Sequence, residues 1–171
     1  GCTKRNHWGM RMEIYEQYIK DVKSGKILTC EWVKKAVKRH EADLKKAKNE
    51  SYPYYFDYTE PRRVIKFAAA LQHYEGEWAG KPIVFEPWQQ FVLSQIYGWR
   101  RRDNGTRRYK KAFVFVARKN GKTTLASVLM LYHLFAEPGA QVYSIATKRD
   151  QAGISFNNVK QFVARNPTIK K

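Results

Sequence analysis

Acidic residues are scarce in this chain. Fifteen Asp and Glu stand against 33 Lys and Arg in 171 residues, a formal net charge of +18. So large an imbalance excludes a neutral surface and costs self-repulsion in the compact state. It points to a polyanionic partner, nucleic acid first and an anionic membrane surface second. Cysteine is nearly absent: Cys2 and Cys30 give neither a metal-ligand spacing nor a disulfide framework, which suits a reducing compartment. Long apolar runs are missing too. The longest, within Leu125 to Phe135, is interrupted by Ser127 and His133 and is too short to cross a bilayer. The opening GCTKRNHWGM has no apolar signal core. These absences lead us to expect a soluble, intracellular protein. No internal repeat is present. What remains, 43% hydrophobic and 15% aromatic residues, is enough for one ordinary domain or a domain with a small appendage.

The hydrophobic period divides the chain. From Met12 to about Asn49 it predicts two amphipathic helices. Ile14, Tyr18, Ile19 and Val22 mark the first, and KSGK ends it. Thr29 is the expected cap of the second, with Trp32, Val33, Ala36, Val37 and Leu44 on its apolar face. Lys34, Lys35, Lys38, Arg39, Lys45, Lys46 and Lys48 take the other face, which reads first as a solvated surface. NESYPYYFDYTEP is a turn-rich aromatic linker, and Thr59-Glu60-Pro61 opens a third helix that carries Val64, Ile65, Ala68 and Leu71 and ends near Gly76. A fourth helix starts near Pro87, with Trp88, Phe91, Val92 and Ile96 on its apolar side. Asn104-Gly105 is a two-residue hairpin signal, flanked by Arg100, Arg101, Arg102, Arg107, Arg108, Lys110 and Lys111.

Beyond it the pattern turns to β-α-β-α. Ala112–Val116 and Gln141–Ala146 read as buried parallel strands, and Lys122–Phe135 and Asp150–Ala164 as helices. The expected organisation is an α-helical segment over residues 1–50, followed over 51–171 by an α/β region with a parallel sheet flanked by helices. Two such strands do not complete a doubly wound sheet, so the chain reads as part of a longer polypeptide.

Chemistry concentrates between the two apolar strands. In VFVARKNGKTTLAS a loop joins a strand to a helix, where backbone N–H groups and the helix dipole favour an anion. Gly121 permits close approach, Lys122 reaches the β- and γ-phosphates, and the Thr123 hydroxyl is placed for Mg²⁺. Val116 occupies the position where the general pattern has its first Gly. An ordinary strand-helix turn with an exposed lysine is the plainer reading of the same residues. Two weaker elements flank the loop. FEPWQ ends in Gln89, whose amide can pair with adenine. ATKRDQA follows the second strand, where open α/β sheets line their ligand crevice. Its Lys148 and Arg149 are candidate contacts to nucleic acid, or part of a helix cap.

These blocks, in this order, resemble the N-terminal ATPase region of tailed-phage terminase large subunits, the DNA-packaging motors. HYEGEWAGKPIVFEPWQQF, YGWRRRDNGTRRYKKAFVFVARKNGKTTLA and VYSIATKRDQA carry the resemblance, VKKAVKRHEADL is similar to the family's N-terminal helix, and together they cover roughly Tyr15 to Asn166. In that family a basic pair commonly stands where ordinary loops have Gly, as Arg118-Lys119 does here. The resemblance implies an incomplete P-loop NTPase fold of the ASCE type. It also implies ATP and Mg²⁺ as cofactors, held by Arg118, Lys119, Asn120, Gly121, Lys122, Thr123 and Thr124, with Thr123 as metal ligand. Gln89 would sense adenine, and Lys122 and Arg118 would serve catalysis, Arg118 at the γ-phosphate. Arg100, Arg101, Arg102, Arg107, Arg108, Lys148 and Arg149 would face double-stranded DNA. A small terminase subunit and a capsid portal would be partners, homo-oligomers could form, and the host cytoplasm would be the location, with no membrane.

The family's acidic Walker B strand and its nuclease domain have no counterpart in these residues: after the loop the acids are Glu137 and Asp150. Hydrolysis needs a group that orients the attacking water and a second anchor for the metal, so slow or no turnover is expected of this chain. Two rival readings are a non-enzymatic basic DNA-binding or assembly module and a helicase-like remodeller, whose loop would more usually keep the first Gly.

Overall fold

The computed structural model describes residues 13–166. Cys2 and the chain's opening, Met12, and the segment after Asn166 lie outside them. The elements run α1 (Ile14–Lys23), α2 (Glu31–Lys46), β1 (Tyr54–Phe56), α3 (Thr59–Ala70), a 3-10 turn (Gly76–Trp78), α4 (Pro87–Gly98), β2 (Trp99–Arg101), α5 (Lys122–Ala136) and α6 (Arg149–Arg165). They group into two compact units. One holds residues 13–62 and 86–112, the other 63–85 and 113–166. No described helix is long and apolar enough to cross a membrane.

The first unit is built largely on the predicted amphipathic stripes, although Ile14 is 51% exposed and its neighbour Tyr15 is buried in its place. Tyr15, Tyr18, Ile19 and Val22 of α1 pack on Val37 of α2 and Phe91 of α4, and burying such side chains contributes about 1.5–3 kcal/mol each. Glu13 and Glu16 form a capping box at the start of α1, with the Glu13 N–H donating to Glu16 Oε2 at 2.9 Å. The cap of α2 is Cys30, an exposed thiol, and not Thr29. Trp32, expected on the apolar face, is 76% exposed; it sits on the margin of the stripe that Val37, His40 and Asp43 bury.

The aromatic linker is partly a strand. Tyr54, Tyr55 and Phe56 pair antiparallel with Arg101, Arg100 and Trp99. The chain turns back after β2, but through a four-residue loop, Arg102 to Gly105, and not the expected two-residue turn. The Arg101 N–H donates to the Thr106 carbonyl at 2.9 Å, and the Gly105 N–H to the Arg101 carbonyl at 3.0 Å. Gly105 sits at φ 66°, a conformation that costs glycine little, and Asn104 Oδ1 accepts from the Thr106 N–H. At the middle of this unit His40, 3% exposed, accepts from Trp99 Nε1 at 3.1 Å and lies edge-on to Phe56, Phe91 and Trp99.

In the second unit Val64, Ala68 and Leu71, with Ile83 and Phe85, are buried, as are Leu125, Val128 and Leu131 of α5 and Val159 and Phe162 of α6. α5 and α6 pack directly, Tyr74 donates to Asn158 Oδ1, and Phe67 meets the Tyr132 ring edge-on at 5.5 Å.

The expected parallel sheet is not seen: among the described residues the sheet is the two-stranded antiparallel β1–β2. Residues 112–116 and 141–146 are neither helical nor laddered. Phe113 is 91% exposed, Phe115 88%, Tyr143 76% and Ile145 92%. A strand is defined by what its N–H and C=O groups pair with, and neither segment has a ladder partner among the described residues. The apolar content of both runs was legible. Their burial was inferred from it and does not hold.

Candidate functional site

The loop between residue 116 and α5 is bent by two left-handed residues. Gly121, at φ 68° and ψ 17°, is the N-cap of α5. Lys119, at φ 65°, is the non-glycine residue with positive φ among those described. Glycine takes this conformation readily, whereas a lysine pays roughly 1–2 kcal/mol for it, a strain characteristic of functional loops. No side chain caps α5, so its first N–H groups face outward from the loop, where an anion is favoured. The Gly121 carbonyl accepts the first helical bond, from the Leu125 N–H at 2.9 Å.

Lys122 lies back across this loop. Its ammonium donates to the Val116 carbonyl at 2.5 Å and approaches that of Ala117 at 3.3 Å. Asn120 Nδ2 reaches the Ala117 and Arg118 carbonyls, both at 3.3 Å. Val116 thus supplies a backbone acceptor, for which its side chain is immaterial. Residues 117 to 123 are exposed and Thr124 is half-buried. Ser127, fully buried, donates to the Thr123 carbonyl at 2.8 Å and fixes the first turn from beneath. The loop therefore brings Arg118, Lys119, Asn120, Gly121, Lys122, Thr123 and Thr124 into one short segment. Among the described residues no group of three or more His, Cys, Asp or Glu is arranged for a metal. The donor set at the loop is the Thr123 hydroxyl, which suits an Mg²⁺ that arrives on phosphate oxygens and keeps several waters.

The two acids that follow the loop are placed elsewhere. Glu137 caps the far end of α5 and pairs with His133 Nδ1 at 2.9 Å, about 24 Å along the helix axis from Gly121. Asp150 lies in the first turn of α6. Lys148 is the N-cap of α6 and Arg149 its first residue, both exposed.

Gln89 belongs to the first unit. It is 6% exposed, and its Oε1 accepts from the Glu86 N–H at 2.9 Å to close a capping box at the start of α4. The Glu-x-x-Gln spacing is the signal for this role.

The basic hairpin is heavily engaged with its own unit. Arg100 donates to Glu60 Oε2 at 2.6 Å and to the Gly105 carbonyl. Arg101 grips Asp103 through two bonds, at 3.0 and 2.7 Å. Arg102 donates to the carbonyls of Tyr52 and Ala47. Arg107 lies over the Tyr97 ring at 5.5 Å. Arg108 donates to the buried Asp43 at 2.7 Å and stacks on Tyr54 at 4.3 Å. A cavity of about 460 Å³ in the same unit is lined by Lys23, Lys45, Lys48, Tyr55, Phe56 and Tyr58, among others.

A loop of this build, ahead of an uncapped helix and with a Gly-Lys-Thr at the joint, has the pattern of a phosphate-binding loop. The comparisons narrow the reading. Residues 87–171 match the family described as terminase large subunit, ATPase domain. The terminase large subunit of Enterobacteria phage HK97 is 35% identical over 102 residues, 57% of this chain and 19% of that protein. Together these matches support a terminase large subunit ATPase fragment, with the family match covering residues 87–171. The chain spans about a fifth of the length of the curated relative it matches. No solved structure matches it.

Proposed function

We propose that this chain is the ATP-binding part of a viral or prophage motor that drives double-stranded DNA into procapsids. The observation that supports it most is the loop at the start of α5, with Lys122 on its own carbonyls and Gly121 left-handed, inside the stretch that matches the ATPase domain. In this reading Lys122 exchanges the Val116 and Ala117 carbonyls for β- and γ-phosphate oxygens. Thr123 holds the nucleotide's Mg²⁺, whose chemistry is to neutralise charge on those oxygens. Arg118 and Lys119 add positive charge beside the triphosphate, with Arg118 at the γ-phosphate. Preorganised cations of this kind act by matching the charge that spreads over the transferred phosphoryl group. The adenine-sensing role of Gln89 and the DNA contacts of Lys148, Arg149 and the Arg100–Arg108 hairpin belong to the same proposal. So do partnership with a small terminase subunit and a portal, assembly into homo-oligomers, and a place in the host cytoplasm.

The acids at Glu137 and Asp150 supply no candidate to orient water at the loop, so the 171-residue chain should bind ATP and turn it over slowly. The function is tested by DNase-protected DNA in procapsids. A phage carrying Lys122→Ala in this protein should form procapsids and fill none. Normal filling would refute the motor role, and procapsids that never form would point to an assembly module instead.

A further inference from the structure

The arginines of the basic hairpin are drawn onto Glu60, Asp103, Asp43 and local carbonyls. A second row of exposed cations in the first unit lies on α2. That helix buries Val37, His40 and Asp43. Its opposite side carries Lys34, Lys35, Lys38, Arg39, Lys45 and Lys46, all exposed. The acids of α2 beyond its first residue, Glu31, do not offset them. Glu41 pairs with Lys23 at 2.7 Å and Asp43 is turned inward to Arg108. An uncompensated run of this kind in a chain already at +18 is a positive field seeking a polyanion.

We propose that the outer face of α2 is a duplex-DNA backbone contact of the first unit, in addition to the hairpin. The inference rests on the DNA-packaging reading above and assigns it residues outside the hairpin and the ATKRDQA block. From Lys34 to Lys46 the helix rises about 18 Å. At 3.4 Å per charge, one strand of that length of duplex carries about five phosphates, close to the number of cations along it. Lysine is a flexible point charge and suits a phosphate row read without sequence. An interface with an acidic protein would instead centre on apolar side chains and be poor in lysine. Here the apolar residue is Trp32, on the margin and under the Lys35 ammonium at 4.8 Å.

The test is the salt dependence of binding to a short duplex of mixed sequence, followed by anisotropy between about 50 and 200 mM salt. Compared are wild type, the triple variant Lys34→Ala, Lys38→Ala and Lys45→Ala, and the double variant Lys110→Ala and Lys111→Ala. The triple variant should lose about 2.7 from the slope of log K against log salt, at 0.9 per contact, and bind at least a hundredfold more weakly at the low-salt end. The double variant should keep the wild-type slope. Lys38→Gln alone should remove about 0.9, which guards against a triple variant that folds poorly. Unchanged affinity for an ATP analogue shows that the variants are intact. Wild-type slope in the α2 variants, with slope lost in the Lys110/Lys111 pair, would overturn the assignment and leave the packaging reading standing. A wild-type chain with no measurable affinity for duplex would fail the DNA part of that reading itself, and the α2 assignment with it.

Discussion

His40 is the most sharply perturbed base in the first unit and should govern its stability toward acid. Burial among Phe56, Phe91 and Trp99, the largest cause, moves its pKa from the ordinary 6.5 down to about 4; Glu41 and Asp43 oppose the shift and Arg39 reinforces it. Above about pH 6.5 the imidazole is neutral in both folded and unfolded chains and contributes no pH dependence. Between about 6.5 and 4 the unfolded chain takes the proton while the folded one resists, so stability falls as pH falls. Below about 4 both are protonated and the loss stops growing. At 1.36 kcal/mol for each tenfold preference the full loss is roughly 3 kcal/mol. Protonation would also remove the acceptor for Trp99 Nε1.

The assay is urea unfolding of wild type and His40→Gln across about pH 7 to 4. Carboxylates titrate in the same range, so the difference between the two proteins carries the answer. His40→Gln should be less stable at neutral pH by about 1–3 kcal/mol, from the disturbed core and the Trp99 donor, and that gap should close by roughly 3 kcal/mol toward pH 4. Parallel loss in both proteins would refute the reasoning.

Two further perturbations test the packing and the capping. A methyl carbon on Gly98 would lie 2.4 Å from Phe56 Cε2, so Gly98→Ala should cost about 1–3 kcal/mol of overpacking, read as a lower urea midpoint at unchanged slope. Gln89→Ala removes the capping-box acceptor for the Glu86 N–H and should lower unfolding stability by about 1 kcal/mol. A variant as stable as wild type would show that the box contributes nothing.

Where a segment's own neighbours decided its structure, the sequence was readable. The stripes Tyr18-Ile19-Val22 and Val33-Ala36-Val37 became α1 and α2, and the Asn104-Gly105 signal marked a reversal of the chain, though a longer one than two residues, because each depends on residues within a few positions. Distant partners were not readable. Nothing near Arg100 or Arg108 announces that Glu60 and Asp43, 40 and 65 residues away, would take up their charge. The two apolar runs misled for a related reason: apolar content reports what a strand could bury, and a ladder depends on what lies beside it. Gln89 showed a Glu-x-x-Gln spacing that predicts a capping box, beside the adenine role that the family resemblance implies. In the loop, Gly121 was read as permissive and is left-handed. The left-handed Lys119 had no sequence signal at all, since lysine ordinarily avoids that conformation.

The central claim is that the loop before α5 holds a nucleotide's phosphates through Lys122. Calorimetric titration of a non-hydrolysable ATP analogue with Mg²⁺ into wild type and Lys122→Ala tests it directly. Loss of one charged contact predicts a roughly 10- to 100-fold weaker Kd in the variant, with the urea midpoint little changed because the exposed Lys122 ammonium bonds the loop carbonyls of Val116 and Ala117. Equal affinity in the two proteins, or none in either, would contradict it.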